Sequence, residues 1–145
     1  MKATIQPFEN LKHRDAVVEL WDGVFDYKAP HNQPELVIDK KVTFGDGLFF
    51  VALLDQKVIG TIMAGYDGHR GWIYSMAVSP DYRKQGIGNE LLSFTEKKLF
   101  KMGCLKINLQ IMAHNKEVEG FYSLNGYHTE RRISMGKRLY GDPGT

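Results

Sequence analysis

The spacing of apolar residues changes along the chain, and each spacing predicts a different element. Alternation over residues 2–7 predicts a short strand. Apolar residues three or four apart over residues 11–24 predict a helix, with Asn10 in position to cap it. Prolines and other turn-forming residues make residues 27–34 a loop, and residues 35–41 allow a short helix. The chain is therefore expected to begin with one strand and two helices.

Three apolar runs rich in β-forming residues follow this start. They cover residues 47–54, 58–66 and 72–78, and short polar turns separate them. Residues 55–57 have the character of a hairpin turn, and Gly60 in the second run indicates a bulge or a close contact. Strands joined by such short turns pair in antiparallel fashion. The pattern therefore predicts a three-stranded meander.

After the third run, the spacing of apolar residues changes to that of a helix. Apolar residues recur at intervals of four or three from Ile87 onward, which predicts a helix over residues 89–102 that Gly103 would end. Residues 105–111 alternate between apolar and polar side chains, as a strand does. A strand, a helix and another strand in succession predict a parallel crossover over residues 72–111.

The last part of the chain continues this pattern. Asn115 can cap a helix over residues 116–124, which Gly126 would close, and residues 128–140 carry one or two final strands. Residues 1–145 are thus expected to form a single α/β domain. Its sheet would be mixed and mostly antiparallel, with six or seven strands, flanking helices and one parallel βαβ crossover.

The composition is that of an ordinary globular domain. Of 145 residues, 43% are hydrophobic and 25% are charged, and the net charge is only +2. So small a charge, with its basic residues scattered, argues against nucleic-acid binding. No run approaches the roughly 20 apolar residues that a membrane-spanning helix needs, so no membrane association is expected. The single cysteine, Cys104, permits no intrachain disulfide, and we expect a cytoplasmic protein.

A basic, glycine-bearing turn stands between the third run of the meander and the crossover helix. It contains Arg83, Lys84, Gly86 and Gly88. A helix N-terminus carries roughly half a positive charge and several N–H groups that have no partner within the helix. Glycine lets an anion approach such groups closely, and the two cations add full charges. The turn therefore predicts a cradle for a pyrophosphate group.

Two common nucleotide-binding motifs do not fit this turn. A Walker A loop requires G-x-x-x-x-G-K-[ST], and the sequence contains no such run. A dinucleotide fingerprint requires a third glycine where Leu91 stands and an acidic residue near Asn108. The five histidines show no metal-ligand spacing, so no metal site is expected.

Two motifs in the chain resemble those of the GCN5-related N-acetyltransferase (GNAT) family. The first is a strand that ends in Met76-Ala77-Val78 and is followed by Ser79-Pro80 and by Arg83-x-x-Gly86-x-Gly88. The second is Asn115 followed by Phe121-Tyr122-Ser123-Leu124-Asn125-Gly126-Tyr127. The meander and the βα repeat also fit, so the resemblance covers nearly the full chain. Within the family, the bacterial N-terminal and ribosomal-protein acetyltransferases look most similar.

The resemblance implies an enzyme that takes an acetyl group from acetyl-CoA. Backbone groups at the end of the third run would bind the acetyl carbonyl and the pantetheine arm, as if the cofactor were an added strand. The turn would bind the pyrophosphate, with electrostatic support from Arg83. The cofactor-binding residues that the resemblance implies are Met76, Ala77, Val78, Arg83, Lys84, Gln85, Gly86, Ile87, Gly88, Asn89 and Asn115.

The resemblance also implies that Tyr122 is catalytic. A neutral primary amine would attack the thioester directly, and backbone N–H donors on the strand from Met76 to Val78 would stabilise the oxyanion, each by about 3 kcal/mol. Tyr122 would then give a proton to the departing thiolate. With a tyrosine pKa of about 10 and a thiol pKa of about 9, this transfer would be nearly balanced. The alternative role for Tyr122 is packing within its helix.

The residues do not reveal a general base. Relatives that resemble this chain often carry a glutamate on the fifth strand, where this chain has Gln110. An amide cannot accept the proton, so Gln110 favours a weakly basic amine or a water relay to a distant carboxylate. The other candidates are Glu117, Glu35, Asp67 and His69, and for each of them a solvated surface position is the simpler interpretation.

The acceptor amine is expected to approach along the loop at residues 27–34. Tyr27, His31 and Asn32 in that loop could contact a small molecule or a peptide N-terminus. An alternative function is a non-catalytic acyl-CoA-binding or sensing module on the same fold, which the missing glutamate permits. A final strand within residues 132–140 could pair with a partner chain and give a homodimer.

Overall fold

The computed structural model describes residues 2–25 and 29–141. Two compact units, Met1–Gln110 and Ile111–Thr145, make up the chain. Among the described residues, no helix has the length and apolar character that a bilayer crossing requires. The elements in chain order are β1 Thr4–Pro7, α1 Asn10–Val24, α2 Pro34–Phe44, β2 Phe49–Leu54, β3 Lys57–Tyr66, β4 Gly71–Val78, α3 Ile87–Lys101, β5 Ile107–Leu109 and α4 Lys116–Leu124.

A five-stranded sheet forms the frame of the first unit. Its strands lie in the order β1-β2-β3-β4-β5. The first four strands pair in antiparallel fashion, whereas β4 and β5 are parallel. The helix α3 connects these two parallel strands. The α/β fold with a meander and one parallel crossover, which the sequence predicts, is therefore confirmed.

The sheet has fewer strands than the six or seven that the sequence predicts. No strand is assigned within residues 128–141, although Ile133, Met135 and Leu139 keep an even spacing. Alternation shows only which side chains can share a face, and a strand also needs a neighbouring backbone that completes its hydrogen bonds. The fifth strand is also shorter than expected, since it covers Ile107–Leu109 rather than residues 105–111.

The turn between β2 and β3 contains two residues in the left-handed backbone conformation. Asp55 has a φ of 50° and Gln56 a φ of 68°. Leu54 pairs with Lys57 directly across the turn. Two consecutive left-handed residues match the right-handed twist of the strands that they join, which favours two-residue hairpin turns. The predicted hairpin is confirmed, and it is one residue shorter than expected.

Apolar side chains cover both faces of the sheet. Phe50 of β2 contacts Phe94 of α3, with ring centroids 5.0 Å apart. Its neighbour Phe49 points the other way and stacks with Trp21 of α1 at 5.9 Å. The core on the side of α1 and α2 consists of Val17, Trp21, Ile38, Phe49, Val51, Leu53, Val58, Met63 and Ala77. The two opposed cores fix which face each strand residue presents to each helix.

Two strand glycines allow α3 to approach the sheet closely. A Cβ atom on Gly60 would lie 3.0 Å from Leu91 Cδ1, and one on Gly71 would lie 2.8 Å from Cys104 Sγ. The contact at Gly71 is shorter than real Cβ atoms make, and the contact at Gly60 is tighter than most, so a larger residue at either position would force the neighbouring side chains to shift. The close contact that the sequence predicts at Gly60 is confirmed.

The helix ends largely follow the sequence signals. Gly103 has a φ of 99° and donates its N–H to Phe100 O at 3.0 Å. The N–H of Cys104 donates to Leu99 O at 3.1 Å, which completes a Schellman motif at the end of α3. Asn115 caps α4, because its Oδ1 accepts a first-turn N–H at 3.2 Å. Both predicted helix signals are confirmed.

The start of α1 differs from the prediction. Asn10 is the first helical residue rather than the cap, and Glu9 occupies the N-cap position. The N–H of Glu9 donates to Nδ1 of His13 at 3.0 Å, so a buried histidine one turn later satisfies this backbone group. Burial lowers the pKa of His13, which favours the neutral ring that accepts this bond. The expected cap at Asn10 is therefore wrong.

Candidate active site

A bulge interrupts β4 near the middle of the sheet. The β3–β4 register shifts between Thr61 and Met63, where Ile62 alone stands opposite Ser75 and Met76. Ser75 has a φ of 49°, in the left-handed region that is strained for a residue with a Cβ atom. Such bulges and strained residues are found preferentially next to functional sites. The bulge is therefore the first structural sign of a site on β4.

The pairing between β4 and β5 ends just before this bulge. The ladder joins Gly71, Trp72 and Ile73 to Ile107, Asn108 and Leu109. The strand β4 continues to Val78. Residues 74–78 of β4 thus lie outside the parallel ladder. An opening between diverging strands can admit the extended arm of a ligand as an additional strand.

The predicted cradle folds as a tight turn that leads straight into α3. Lys84 has a φ of 62° and Gly86 a φ of 83°, so the chain adopts the left-handed conformation twice. Gly86 is the N-cap of α3, and its carbonyl accepts the N–H of Glu90 at 3.0 Å. The first N–H groups of α3 point out of the helix end into this turn. Nothing lies within 4 Å of the position of a Cβ on Gly86, so the backbone there is open to a ligand.

Polar side chains of the cradle face solvent, while one apolar side chain anchors it. Ile87 is 7% exposed, and its Cγ2 lies 3.5 Å from where a Cβ on Gly60 would be. Ile87 can therefore offer a ligand only its backbone N–H. The exposed cradle residues are Arg83, Lys84, Gln85, Gly86 and Asn89.

One cation of the cradle is attached to the end of β4. The Nε of Arg83 donates to Val78 O at 3.1 Å. This bond uses one of the five guanidinium N–H groups, so the others remain to meet a phosphate. Arg83 therefore does more than the electrostatic support that the sequence predicts, because it also closes the turn over β4.

The three β4 residues expected to bind the cofactor differ in burial. Ala77 is 4% exposed and belongs to the core beside α1 and α2, so only its backbone could meet a ligand. Met76 and Val78 are half-buried. The structure thus brings Met76, Ala77, Val78 and the cradle together along one strand and the turn that follows it.

The second compact unit holds the other two predicted site residues. Asn115 uses its Oδ1 to cap α4, which leaves its amide NH₂ to act as a donor elsewhere. Tyr122 is 8% exposed, and its ring makes edge contacts with Phe121 at 5.1 Å and Tyr127 at 5.5 Å. The packing role considered for Tyr122 is therefore present.

Burial raises the pKa of Tyr122 to about 12. The assumption that this phenol titrates near 10 is therefore wrong, because a charged phenolate would be poorly solvated at this position. At neutral pH the group is a hydrogen-bond donor. Full transfer of its proton to a thiolate with a pKa of about 9 would be uphill by about 4 kcal/mol.

The candidates for a general base lie in different parts of the fold. Asp67 accepts the N–H groups of His69 and Arg70 at 2.8 and 2.7 Å in the β3–β4 turn. These bonds lower the pKa of Asp67, which makes it a weaker base. Glu35 lies in the first turn of α2, Glu117 in the first turn of α4, and Gln110 directly after β5. Within the first unit, Asp67, Glu35 and Gln110 therefore lie on three different segments, and Glu117 belongs to the second unit.

The expected acceptor loop is described only in part. Tyr27 lies outside the described residues. His31 and Asn32 belong to the 3-10 turn Pro30–Asn32 directly before α2, where His31 is exposed and Asn32 half-buried. This position keeps both side chains at an accessible surface of the first unit.

A partly buried polar cluster beside the bulge was not predicted from the sequence. The side chain of Lys41 in α2 is 8% exposed, and its Nζ contacts Asp46 Oδ2 at 2.8 Å and the hydroxyl of Tyr74 at 2.9 Å. The carbonyl of Ala64 accepts a third bond from the same Nζ. The cluster ties α2 to β3 and to the β4 residue directly before Ser75. Nothing in the spacing of these residues marks them, because three separate elements supply them.

A second missed group lies on the same side of the sheet. Trp21 of α1 donates its Nε1–H to Thr61 Oγ1 at 2.9 Å, and Thr61 donates its hydroxyl to Ser75 O at 3.0 Å. This chain of bonds reaches the carbonyl of the bulge itself. Among the described residues, no three His, Cys, Asp or Glu side chains are grouped as a metal ion would require.

The sequence matches the profile of the Acetyltransferase (GNAT) family over residues 14–127. The chain belongs to the GNAT family. Among curated relatives, an acetyltransferase of Pectobacterium atrosepticum is 43% identical over 128 residues, which cover 88% of this chain and 90% of the relative. An acetyltransferase of Yersinia pseudotuberculosis is 41% identical over the same coverage. This GNAT chain is therefore an acetyl-CoA-dependent N-acetyltransferase, as the two sequence motifs predict.

Solved GNAT structures share its fold. The PaiA N-acetyltransferase from Thermoplasma acidophilum, in complex with coenzyme A, has a TM-score of 0.78 at 21% identity and covers 92% of this chain and 94% of its own. The NatC complex bound to a Gag peptide and CoA has a TM-score of 0.77 at 23% identity and covers 92% of this chain and 89% of that chain. At sequence identities this low, the similarity to these structures is a similarity of fold alone.

Proposed function

We propose that acetyl-CoA binds along β4, with its pyrophosphate in the cradle and its acetyl group at the bulge. One observation carries this proposal: the β4–β5 ladder stops just before the bulge, and the same strand leads through the cradle turn to the N-terminus of α3. Backbone groups of Met76, Ala77 and Val78 would bind the arm of the cofactor. The residues proposed around the pyrophosphate are Arg83, Lys84, Gln85, Gly86, Ile87, Gly88 and Asn89, with Asn115 as a further contact.

The proposed chemistry is direct transfer. The nitrogen of a neutral primary amine forms a bond to the thioester carbon, and the negative charge on the carbonyl oxygen is held by an N–H near Met76. The C–S bond then breaks, the amine nitrogen releases its extra proton to solvent, and the thiolate takes up a proton from solvent. We assign Tyr122 as the hydrogen-bond donor to the sulfur. Because its pKa is raised to about 12, Tyr122 stays protonated and can hydrogen-bond to the developing thiolate throughout the neutral range.

We infer that the acceptor is a weakly basic primary amine, such as a peptide α-amine or an amino sugar. Gln110 cannot act as a base, and the pKa of Asp67 is lowered. An α-amine with a pKa of about 8 is neutral about a tenth of the time at pH 7, whereas a lysine side chain is neutral about once in 2,500 molecules. Proteins of similar fold include the peptide-bound NatC complex and an aminoglycoside acetyltransferase, so both kinds of acceptor belong in the test.

The test is release of free thiol from acetyl-CoA across a panel of amines at pH 7. The panel contains a tripeptide with a free N-terminus, the same tripeptide blocked at its N-terminus but carrying a lysine, spermidine, glucosamine 6-phosphate and an aminoglycoside. We expect turnover with an α-amine or a sugar amine, at least tenfold above that with the blocked lysine peptide. Tight binding of acetyl-CoA without thiol release for any acceptor would contradict the proposal.

We also propose that the protein acts in the cytoplasm and forms a homodimer. Its one cysteine, Cys104, is a buried free thiol, which suits a reducing compartment. Ile133, Met135 and Leu139 are each 91% exposed and keep the even spacing of a strand face. A second copy could cover these side chains and complete the backbone hydrogen bonds that a strand needs. Cell fractionation tests the first part of this proposal.

A further inference from the structure

A chain of buried hydrogen bonds connects α1 to the bulge of β4. Trp21 and Thr61 are both fully buried, at 0% exposure. The indole N–H of Trp21 donates to Thr61 Oγ1 at 2.9 Å, and the Thr61 hydroxyl donates to Ser75 O at 3.0 Å. The carbonyl that receives the last bond belongs to a residue with a φ of 49°. The chain of hydrogen bonds therefore ends on a non-glycine residue in the left-handed conformation.

The order of donors along this chain fixes the direction of the hydroxyl. An indole N–H can only donate, so Thr61 must accept from Trp21. A hydroxyl has one proton, and with a lone pair occupied by Trp21 that proton is directed to Ser75 O. A valine at position 61 would fill the same space without a polar atom. The need for a hydroxyl at position 61 therefore comes from its two hydrogen-bond partners and not from packing.

The bond to Ser75 O also orients the next N–H along the chain. The carbonyl of Ser75 and the N–H of Met76 belong to one planar, trans peptide group, in which they point in opposite directions. The bond from the Thr61 hydroxyl fixes the direction of the Ser75 carbonyl, so the N–H of Met76 must point the opposite way. This peptide lies on the part of β4 that extends beyond the β4–β5 ladder.

We propose that Thr61, held by Trp21, is a positioning residue that orients the Ser75–Met76 peptide for catalysis. The inference rests on the proposed function, in which an N–H near Met76 stabilises the oxyanion. The regular β3–β4 pairing is interrupted at Ser75, where the backbone has a strained φ. The hydroxyl of Thr61 donates a hydrogen bond to the Ser75 carbonyl at this point. A donor that is misdirected by a fraction of an ångström loses much of its effect in the transition state.

The variant Thr61→Val tests the role of the hydroxyl. We expect the turnover number to fall about 10- to 100-fold, while KM for acetyl-CoA stays within about twofold, because the cradle is unchanged. Thr61→Ser keeps the hydroxyl and should restore turnover to within about threefold of the original protein. Trp21→Phe keeps a large ring but frees the hydroxyl to rotate, so its loss should be smaller than that of Thr61→Val.

Thr95→Val is the matched control. Thr95 is also a threonine at 0% exposure, and its hydroxyl donates to Leu91 O at 2.9 Å within α3. Thr95→Val makes the same chemical change at the same burial, but the hydroxyl bond that it removes lies within α3. Equal losses of turnover in the two valine variants would overturn the proposal, and so would a failure of Thr61→Ser to restore turnover. All assays are run well below the unfolding midpoint of each variant, with the acceptor that gives the highest turnover in the amine panel.

A second measurement needs no turnover. The amide ¹H and ¹⁵N shifts of Met76, recorded on the full chain without ligand, should change in Thr61→Val and stay unchanged in Thr95→Val. Unchanged Met76 shifts in Thr61→Val would overturn the positioning role, whatever the activity shows. If the original protein acetylates no amine but the Met76 shifts still move, the proposed function fails and the orientation of the peptide by Thr61 stands.

Discussion

Tyr122 shows how strongly the surroundings of a single residue change its chemistry. The sequence motif selects this tyrosine, and an isolated tyrosine would titrate near 10. In the folded chain it is 8% exposed, and burial raises its pKa to about 12. A role as hydrogen-bond donor fits this environment better than one in which the phenol gives up its proton early in the reaction.

Replacing Tyr122 by Phe tests this role directly. We expect the turnover number to fall at least tenfold, because the sulfur loses its donor, while the affinity for CoA changes by less than about twofold. The matched control is Tyr66→Phe, which removes a hydroxyl bonded to Gly68 O at 3.3 Å in the first unit. Steady-state kinetics and calorimetric titration with CoA give the two quantities. An unchanged turnover number in Tyr122→Phe would remove Tyr122 from the mechanism.

The raised pKa of Tyr122 also predicts how stability depends on alkaline pH. Between pH 10 and 12 an unfolded tyrosine loses its proton while the buried one keeps it, so the unfolded state binds fewer protons. The free energy of unfolding should therefore be unaffected by Tyr122 below pH 10 and should fall as the pH rises to 12, by about 3 kcal/mol in total. Urea unfolding of the original protein and of Tyr122→Phe, compared at pH 9, 10 and 11, measures this contribution. Parallel curves for the two proteins would show that the buried pKa is not raised.

At the scale of elements, the cradle depends on how α3 begins. A buried side chain, Ile87, fixes the first turn against the sheet, and two left-handed residues, Lys84 and Gly86, bring the chain into it. Arg83 binds back to the end of β4. These local features hold the helix N-terminus open while the cationic side chains stay in solvent.

The variant Lys84→Ala tests the charge of this element. We expect the affinity for CoA to fall about three- to tenfold at low salt, with a smaller loss at 0.5 M salt, because the charge is exposed and therefore screened. The turnover number should be nearly unchanged. Lys101→Ala is the control, since it removes the same charge from the last turn of α3. An equal loss of affinity in both variants would mean that the general charge of the protein, rather than the cradle, attracts the cofactor.

At the scale of the whole molecule, the sheet and its two opposed cores belong to the first compact unit. The second unit carries α4 and a segment whose alternating apolar side chains remain exposed. Large apolar side chains left in water mark a surface that another protein can cover. This feature motivates the proposed homodimer.

The variant Ile133→Lys tests the dimer. We expect the original protein to have a mass in solution near twice 16.5 kDa, and we expect Ile133→Lys to shift it toward the monomer, because a charge would be buried between the copies. Leu105→Lys is the matched control, as Leu105 is an apolar residue of the first unit that is 87% exposed. Light scattering during size-exclusion chromatography measures the mass at several concentrations. A monomeric original protein would refute the homodimer.

The sequence by itself determined the features that depend on contiguous residues. The cradle from Arg83 to Asn89 could be predicted because its glycines, its charges and the helix that follows are neighbours in the chain. The cap at Asn115 and the end of α3 at Gly103 follow from local hydrogen bonds within one turn. The meander and the parallel crossover follow from the period of the apolar positions and the length of the connections. The predicted family rests on the same short motifs.

Only the tertiary structure decided the features that join distant parts of the chain. The shift of register at Ser75 depends on how β3 and β4 pair. The alternation of apolar and polar residues along one strand cannot reveal it. The bond from Thr61 to that bulge, and the bond from Trp21 to Thr61, connect three separate elements, of which α1 is far from the other two in sequence. The burial that raises the pKa of Tyr122 is a property of packing, and so is the lack of a ladder in residues 128–141. Local chemistry is encoded in sequence order, whereas orientation, burial and pairing arise only when the separate elements come together.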